Sequence, residues 1–103
     1  MSMDSNGAEQ LAEQKVRMIE RKVGQPLAPV PLGEIEEGWL FSYQTKAYLD
    51  TDDFEHALGG NAPFLVKRSD GEIVVFGTAE PVERYLDLYR AGEWRSSDAP
   101  DLG

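Results

Sequence analysis

Cysteine is absent from this sequence, and histidine occurs only 1 time. Without cysteine there is no disulfide, no thiolate nucleophile and no cysteine-ligated zinc site, and a reducing compartment suits such a chain. Long hydrophobic runs are also missing, because the longest apolar stretches are only about as long as a strand and too short to span a bilayer. The start of the chain is polar and lacks the apolar core of a signal peptide. We therefore expect a cytoplasmic protein with no membrane partner.

Basic residues are scarce as well. The 10 lysines and arginines stand against 19 aspartates and glutamates, which gives a net charge of −9. The phosphates of DNA or RNA would repel such a chain, so no nucleic-acid partner is expected. Most of the excess negative charge lies in residues 34–55, where Lys46 is the one basic residue among the aspartates and glutamates. This stretch is either a solubilising surface or a docking surface that attracts a basic partner over a distance.

Apolar residues at helical spacing mark the first quarter of the chain. They predict a helix from Ala8 to Val23, which ends at Gly24. Pro29 and Pro31 follow, and because proline has no amide donor, any strand here should lie at a sheet edge or begin late.

An aromatic strand comes next, in the stretch "GWLFSYQT". Its alternation places Trp39, Phe41 and Tyr43 on one face. We interpret these side chains and Tyr48 as core rather than as a ligand box, although a solvent-facing Trp39 would be an interface anchor. Residues 46–58 then predict a short helix, with Thr51 as its N-cap.

Two more strands, "PFLVKR" and "EIVVFG", flank the turn "SDG". A three-residue loop at Ser69–Gly71 would set Arg68 opposite Glu72 and Phe64 opposite Phe76, which forms an opposite-charge pair and an apolar pair together. Both faces of this hairpin are apolar, which predicts strands that are covered on two sides.

A last helix opens near Pro81, and Val82, Tyr85, Leu86 and Tyr89 share its apolar face. The elements together predict an α+β fold, a small antiparallel sheet of about four strands with helices packed on it, in the order α-β-β-α-β-β-α. We expect a flexible N-terminus at residues 1–7, a single domain at residues 8–91 and a flexible C-terminal tail at residues 92–103.

Few residues suggest chemistry. In "LGGNAPFLV", residues 58–66, the glycines lead into a strand, whereas a phosphate loop leads into a helix N-terminus, so we predict a turn. His56 has no neighbour of a known metal pattern, no nucleophile is marked, and the calcium-loop pattern is incomplete around Asp50, Asp52 and Glu55. We expect no catalytic residue, no metal, no cofactor and no enzymatic activity. A carboxylate dyad depends on distance in space, so a small enzyme or ligand-binding module stays open as an alternative.

Two stretches, "EGWLFSYQTKAYLDT" and "LGGNAPFLVKRSDGEIVVFGTAEPVERYL", resemble the immunity protein 35 family of bacterial polymorphic toxin systems. That family has a W-x-F strand, an L-x-G-N-x-P corner, a hairpin with a DG turn, the motif G-T-A-x-P and a tyrosine-bearing helix. The resemblance covers residues from Glu37 to Tyr89. It assigns a structural role to Trp39, Phe41, Leu58, Gly60, Asn61, Pro63, Asp70, Gly71, Gly77, Thr78, Ala79, Pro81 and Tyr85.

The resemblance implies a small cytoplasmic protein that binds and neutralises a cognate toxin domain, without cofactor or catalysis. Since the matched residues are structural, we expect toxin contact on the acidic stretch between them, at Tyr48, Asp50, Asp52, Asp53, Phe54 and Glu55. A basic toxin would suit this surface. The alternative is a small chaperone or adaptor that binds several client proteins, and selectivity for one tight partner separates the two. The toxin's activity and the oligomeric state stay open.

Overall fold

The fold is a four-stranded antiparallel sheet with helices on both faces, as seen in a computed structural model that describes residues 3–59 and 61–95. The strands lie in the order β1-β2-β3-β4. This architecture confirms the predicted α+β fold and the predicted order of elements. The elements are α1 (Ser5–Val23), β1 (Leu27–Ile35), β2 (Gly38–Thr45), α2 (Lys46–Thr51), a 3₁₀ turn (Phe54–His56), β3 (Phe64–Lys67), β4 (Ile73–Val75) and α3 (Val82–Arg90).

The sheet has a core on each face. Helix α1 packs on one face through Ala8, Ala12, Val16 and Ile19, against Trp39, Phe41, Tyr43, Phe64 and Val66. Helix α3 covers the other face through Tyr85 and Leu86, together with Leu40, Leu65, Val74 and Phe76. The alternation predicted for β2 is therefore confirmed, and Trp39 is a core residue with only 7% of its surface exposed.

Helix α1 begins earlier than its apolar pattern predicts. It starts at Ser5 rather than Ala8, because the Asp4 carboxylate accepts a hydrogen bond from the Gly7 amide at 2.8 Å and caps the first turn. The helix ends where expected, at Gly24, whose φ of 78° is the left-handed conformation that glycine adopts without strain. Before the helix, the Met3 amide donates to the Arg68 carbonyl at 2.8 Å, which ties this end to the sheet.

The domain limits at residues 8–91, with flexible ends outside them, remain a prediction. Near the C-terminal limit, the indole ring of Trp94 lies 4.8 Å from the ring of Tyr85, centroid to centroid. The Trp94 indole N–H donates to the Val75 carbonyl at 2.9 Å. Residues 1–2 and 96–103 lie outside the described residues.

The predicted register of the β3–β4 hairpin is wrong by one residue. Phe64 pairs with Val75 and Val66 with Ile73, so the loop holds four residues, 68–71, instead of three. Arg68 explains the difference, because its amide donates to the Glu37 carbonyl and its guanidinium to the Ile35 carbonyl, both at 2.8 Å. These bonds to the β1–β2 turn withdraw Arg68 from the hairpin ladder. Both faces are apolar as predicted: Ile73 and Val75 share a face with Phe64, and Val74 shares the other face with Leu65.

Candidate partner-binding site

The six residues predicted to bind a partner lie together at the end of β2, on α2 and the 3₁₀ turn. We call residues 46–56 the acidic lobe. Helix α2 begins at Lys46 with Thr45 as its N-cap, and not at Thr51 as predicted. The Thr45 hydroxyl accepts a hydrogen bond from the Tyr48 amide at 3.0 Å, whereas the Thr51 hydroxyl donates back to the Ala47 carbonyl at 2.7 Å. Thr51 therefore ends the helix that it was expected to start.

Two aspartates shape the chain after α2. Asp52 takes the left-handed conformation, with a φ of 55°, and closes the helix through its amide, which donates to the Tyr48 carbonyl at 2.7 Å. The Asp53 carboxylate then accepts from the Glu55 amide at 3.0 Å and caps the 3₁₀ turn. The acidic residues of the lobe thus set its backbone as well as its charge.

The lobe exposes an aromatic side chain. Phe54 is 82% exposed, more than any other large hydrophobic residue among those described. The ring of Tyr48, which is half-buried and lies outside both cores, stands 5.9 Å from the Phe54 ring, centroid to centroid. Tyr48 therefore supports Phe54 at the surface instead of joining the core as predicted.

The carboxylates of the lobe are unpaired. Asp50, Asp52, Asp53 and Glu55 are all exposed, and within the described part of the chain no basic side chain forms an ion pair with them. No ion pair among the described residues offsets these four charges, and with Lys46 as its one lysine or arginine the lobe presents a net negative surface to a partner.

Side chains that the sequence analysis did not single out fasten the lobe to the sheet. Thr45 is only 2% exposed, and its hydroxyl donates to the His56 carbonyl at 2.6 Å. The Gln44 amide group accepts from the Leu58 amide at 2.6 Å and donates to the Leu58 carbonyl at 3.3 Å. Polar residues at the end of an apolar strand, directly before a helix, were the available sign of this role.

The glycine corner, the stretch before β3 that begins at Leu58, was predicted to be a turn into a strand. It leads into β3 and not into a helix. The Asn61 side chain donates to the Tyr43 carbonyl at 2.5 Å, which joins the corner to β2. The Pro63 carbonyl accepts from the Phe76 amide at 2.9 Å. Gly60, to which the resemblance gave a structural role, lies outside the described residues, and His56 is exposed.

The remaining motif residues take up positions in turns and core. The Asp70 carboxylate accepts from the Glu72 amide at 2.9 Å beside Gly71, and Pro81 stands at the N-cap of α3. The buried Tyr85 hydroxyl accepts from the amides of Ala79 and Glu80, at 3.1 and 3.2 Å. A Cβ on Gly77 would come within 2.6 Å of that hydroxyl oxygen, and Thr78 beside it is exposed.

The acidic stretch at residues 34–55 divides between two ends of the sheet. Strand β2 separates them by about 25 Å, given about 3.3 Å for each of its residues. At the end away from the lobe, Arg68 pairs with Glu34 at 2.8 Å and lies over the Trp39 ring, 4.4 Å from its centroid. Glu37 is paired as well, with Arg90. Arg68 and Arg90 therefore pair with two carboxylates at this end, whereas no described ion pair offsets the carboxylates of the lobe.

The Glu37–Arg90 pair predicts a pH dependence. Arg90 Nε and Nη2 donate to the Glu37 carboxylate at 2.6 and 3.0 Å, and these hydrogen bonds hold the pKa of Glu37 below its ordinary value of 4.5. Because the folded pKa is the lower one, the pair stabilises the fold above pH 4.5 and loses this effect as the pH falls through the folded pKa.

We expect Glu37→Gln to destabilise the protein at pH 7 and to lose less stability than the wild type on acidification. The measurement is the urea midpoint of unfolding between pH 7 and pH 3. Glu83→Gln, which removes an exposed carboxylate of α3, is the matched control and should follow the wild type. Parallel curves for Glu37→Gln and the wild type would contradict the prediction.

Among the described residues, no group of three or more histidine, aspartate or glutamate side chains could hold a metal ion. A hollow of about 200 Å³ lies beside Trp39, and another of about 330 Å³ lies beside Tyr89. Ligand pockets commonly measure about 300–1,000 Å³, so only the hollow beside Tyr89 reaches that range, at its lower end. Neither of these two hollows includes a residue of the acidic lobe. No described helix has the length and apolar character to cross a bilayer.

Comparison with known proteins places these features in a family. The model of the family described as Immunity protein 35 matches residues 7–91. The chain is also 42% identical over 57 residues to an uncharacterized protein, YrhB, of Escherichia coli K12. That match covers 55% of this chain and 61% of the relative, so the chain spans less than two thirds of the relative's length. No solved structure matches at a significant level.

Proposed function

The chain belongs to the immunity protein 35 family, and on this basis we propose that it binds a cognate bacterial toxin domain in the cytoplasm and neutralises it. Neutralisation proceeds by protein–protein contact, without catalysis and without a cofactor. The observation that carries this proposal is the family match over residues 7–91, which covers all the strands and helices apart from the first two residues of α1.

We place the toxin contact on the acidic lobe. The lobe combines an exposed phenyl ring with four exposed carboxylates that form no ion pair among the described residues. A partner with a basic surface is attracted to such a lobe over a distance, which raises the association rate. The partner-binding residues are Tyr48, Asp50, Asp52, Asp53, Phe54 and Glu55.

The decisive test of the function is protection of living cells. The C-terminal domain of a large secreted protein encoded beside this gene should kill a bacterial host when it is expressed in the cytoplasm, and co-expression of this chain should restore growth. Purified, the two proteins should form one tight complex. The proposal is overturned if the host survives expression of that domain without this chain. It is also overturned if this chain binds many unfolded chains weakly with no preference for that domain, a result that favours a chaperone or adaptor.

Neutralising the four carboxylates should slow association with the toxin domain. The variant is Asp50→Asn, Asp52→Asn, Asp53→Asn and Glu55→Gln, chosen because asparagine tolerates the left-handed conformation at position 52 and still caps at position 53. We expect association at low salt to be about 10-fold slower or more, and the difference to shrink as salt screens the charges. Stopped-flow measurements across a salt series give this rate.

The control for this variant has the same net charge. It carries Glu9→Gln, Glu72→Gln, Glu80→Gln and Glu83→Gln, four exposed carboxylates outside the lobe. It should associate at nearly the wild-type rate, because steering depends on charges near the contact. Equal slowing of the two variants would mean that net charge alone acts and that the lobe is a solubilising surface.

A further inference from the structure

On the basis of the toxin-binding function proposed above, we infer that Phe54 is the anchor of the complex and fills an apolar pocket on the toxin domain that lysine or arginine side chains border. Phe54 is 82% exposed, whereas the next most exposed large hydrophobic residue described, Met18, is 59% exposed. Single exposed apolar residues are common on protein surfaces. What sets Phe54 apart is the way in which the fold holds it.

The backbone under Phe54 is fixed on both sides. Asp53 caps the 3₁₀ turn before it, and the Ala57 amide donates to the Phe54 carbonyl at 3.1 Å. The Thr45 hydroxyl fastens the His56 carbonyl to the end of β2 at 2.6 Å. Binding loses part of its free energy to the ordering of side chains and loops, so a ring that is presented in advance binds at a smaller entropic cost.

The Tyr48 ring limits where the Phe54 ring can stand. The two rings are 5.9 Å apart and tilted by 46°, within the range of favourable aromatic pairs. Tyr48 is half-buried, so one ring braces the other and most of the Phe54 surface stays open. An aromatic side chain held in this way matches the residues that dominate protein interfaces when a partner pocket desolvates them.

The sheet edge at β1 offers a partner little alternative. The Lys46 amide donates to the Pro26 carbonyl at 3.0 Å, which sets the direction of the backbone groups at the start of β1. The backbone N–H and C=O groups of even-numbered residues point toward β2, and those of odd-numbered residues point to the open edge. On that edge Pro29 and Pro31 have no amide hydrogen, and the Leu27 amide donates to the Glu20 carboxylate at 2.7 Å. A strand added there would find no free donor from Leu27 to Pro31.

The other edge is short and partly covered. Strand β4 has 3 residues, and the Trp94 indole N–H already occupies the Val75 carbonyl. Both edges therefore disfavour strand addition, so a partner must recognise side chains. Among the large hydrophobic side chains described, Phe54 of the lobe is the most exposed.

Charge selects the occupant of the lobe. Asp52, Asp53 and Glu55 surround Phe54 in the chain and are exposed, so a pocket for the ring must present bases at its rim. A second copy of this chain would bring a like charge of −9 to the contact, and an anionic membrane surface would repel it too. The pocket on the toxin domain is accordingly apolar within and basic around.

The test compares Phe54→Ala with Met18→Ala, which shortens an exposed apolar side chain on α1. The probe is the purified toxin domain identified by the protection assay. We expect Phe54→Ala to dissociate about 30-fold faster or more, with an association rate within about 3-fold of the wild type, because an anchor acts after the charges have steered the encounter. Met18→Ala should match the wild type in both rates. Thermal unfolding should coincide for all three proteins.

Each result decides something. If the wild type binds and protects but Phe54→Ala dissociates at the wild-type rate, the anchor is wrong and the proposed function stands. If the wild type neither binds nor protects, both fail together. If Phe54→Ala weakens binding to an unrelated unfolded chain, carboxymethylated lactalbumin, as much as binding to the toxin domain, the ring acts as a general sticky contact, which overturns the basic-rimmed pocket. Faster dissociation of Phe54→Ala from the toxin domain, with unchanged binding to the lactalbumin, supports the basic-rimmed pocket.

Discussion

Gly38→Ala should destabilise the protein by about 4 kcal/mol, a large share of the stability of a small domain. A Cβ at this position would lie 2.0 Å from the Val66 carbonyl oxygen and 2.9 Å from the Arg68 amide nitrogen, both backbone atoms. The glycine also has a φ of 153°, which L residues rarely adopt. Gly38 pairs with Lys67 in the β2–β3 ladder, so neither strand can move away without breaking the ladder between them.

Thermal unfolding followed by circular dichroism gives the result directly. We expect a midpoint about 15–30 °C below the wild type, or an insoluble protein if the residual stability is too small. Gly59→Ala is the matched control, since a Cβ there meets nothing within 4 Å, and it should change the midpoint only slightly. A Gly38→Ala protein that unfolds within a few degrees of the wild type would show that the two strands tolerate a wider separation.

Thr45→Val should lower stability by about 2–3 kcal/mol and weaken toxin binding as well. The substitution keeps the shape but removes the buried hydroxyl, which donates to the His56 carbonyl at 2.6 Å and accepts from the Tyr48 amide at 3.0 Å. The loss combines an N-cap with a buried hydrogen bond, each of which contributes about 1 kcal/mol or more. Because both partners belong to the acidic lobe, the lobe should lose its fixed position along with its cap.

Two controls separate these effects. Thr45→Ser keeps the hydroxyl and should retain most of the stability and the affinity. Thr51→Val removes an exposed hydroxyl from the same lobe, so it should affect both much less. The measurements are the urea midpoint of unfolding and the dissociation rate of the toxin complex. Equal loss of affinity in Thr45→Val and Thr51→Val would argue against a special role for the Thr45 bonds.

Local patterns in the sequence were enough for the order of the elements and for the buried faces of three of them. The apolar spacing of α1, the alternation of β2 and the helix opened at Pro81 each depend on neighbours within one or two turns of chain. Prolines predicted the edge position of β1 for a similarly local reason, since a residue without an amide hydrogen cannot donate to a second neighbouring strand. The six candidate residues of the acidic lobe were chosen for their charge and for their place between the motifs of the family resemblance, and their role in binding remains a proposal.

Only the tertiary structure decided the features that depend on residues far apart in the chain. The β3–β4 register moved because Arg68 bonds to the β1–β2 turn, which lies 31 to 33 positions earlier. The Thr45 hydroxyl donates to the His56 carbonyl, 11 positions later in the chain, and no local pattern indicated this bond. The acidic stretch divided because β2 carries its halves to opposite ends, where bases pair with one half alone. The sequence determines which side chains repeat on one face of a helix or strand. Hydrogen bonds and ion pairs between distant segments form only once the chain has folded. These bonds decide which charges, and which aromatic ring, remain free for a partner.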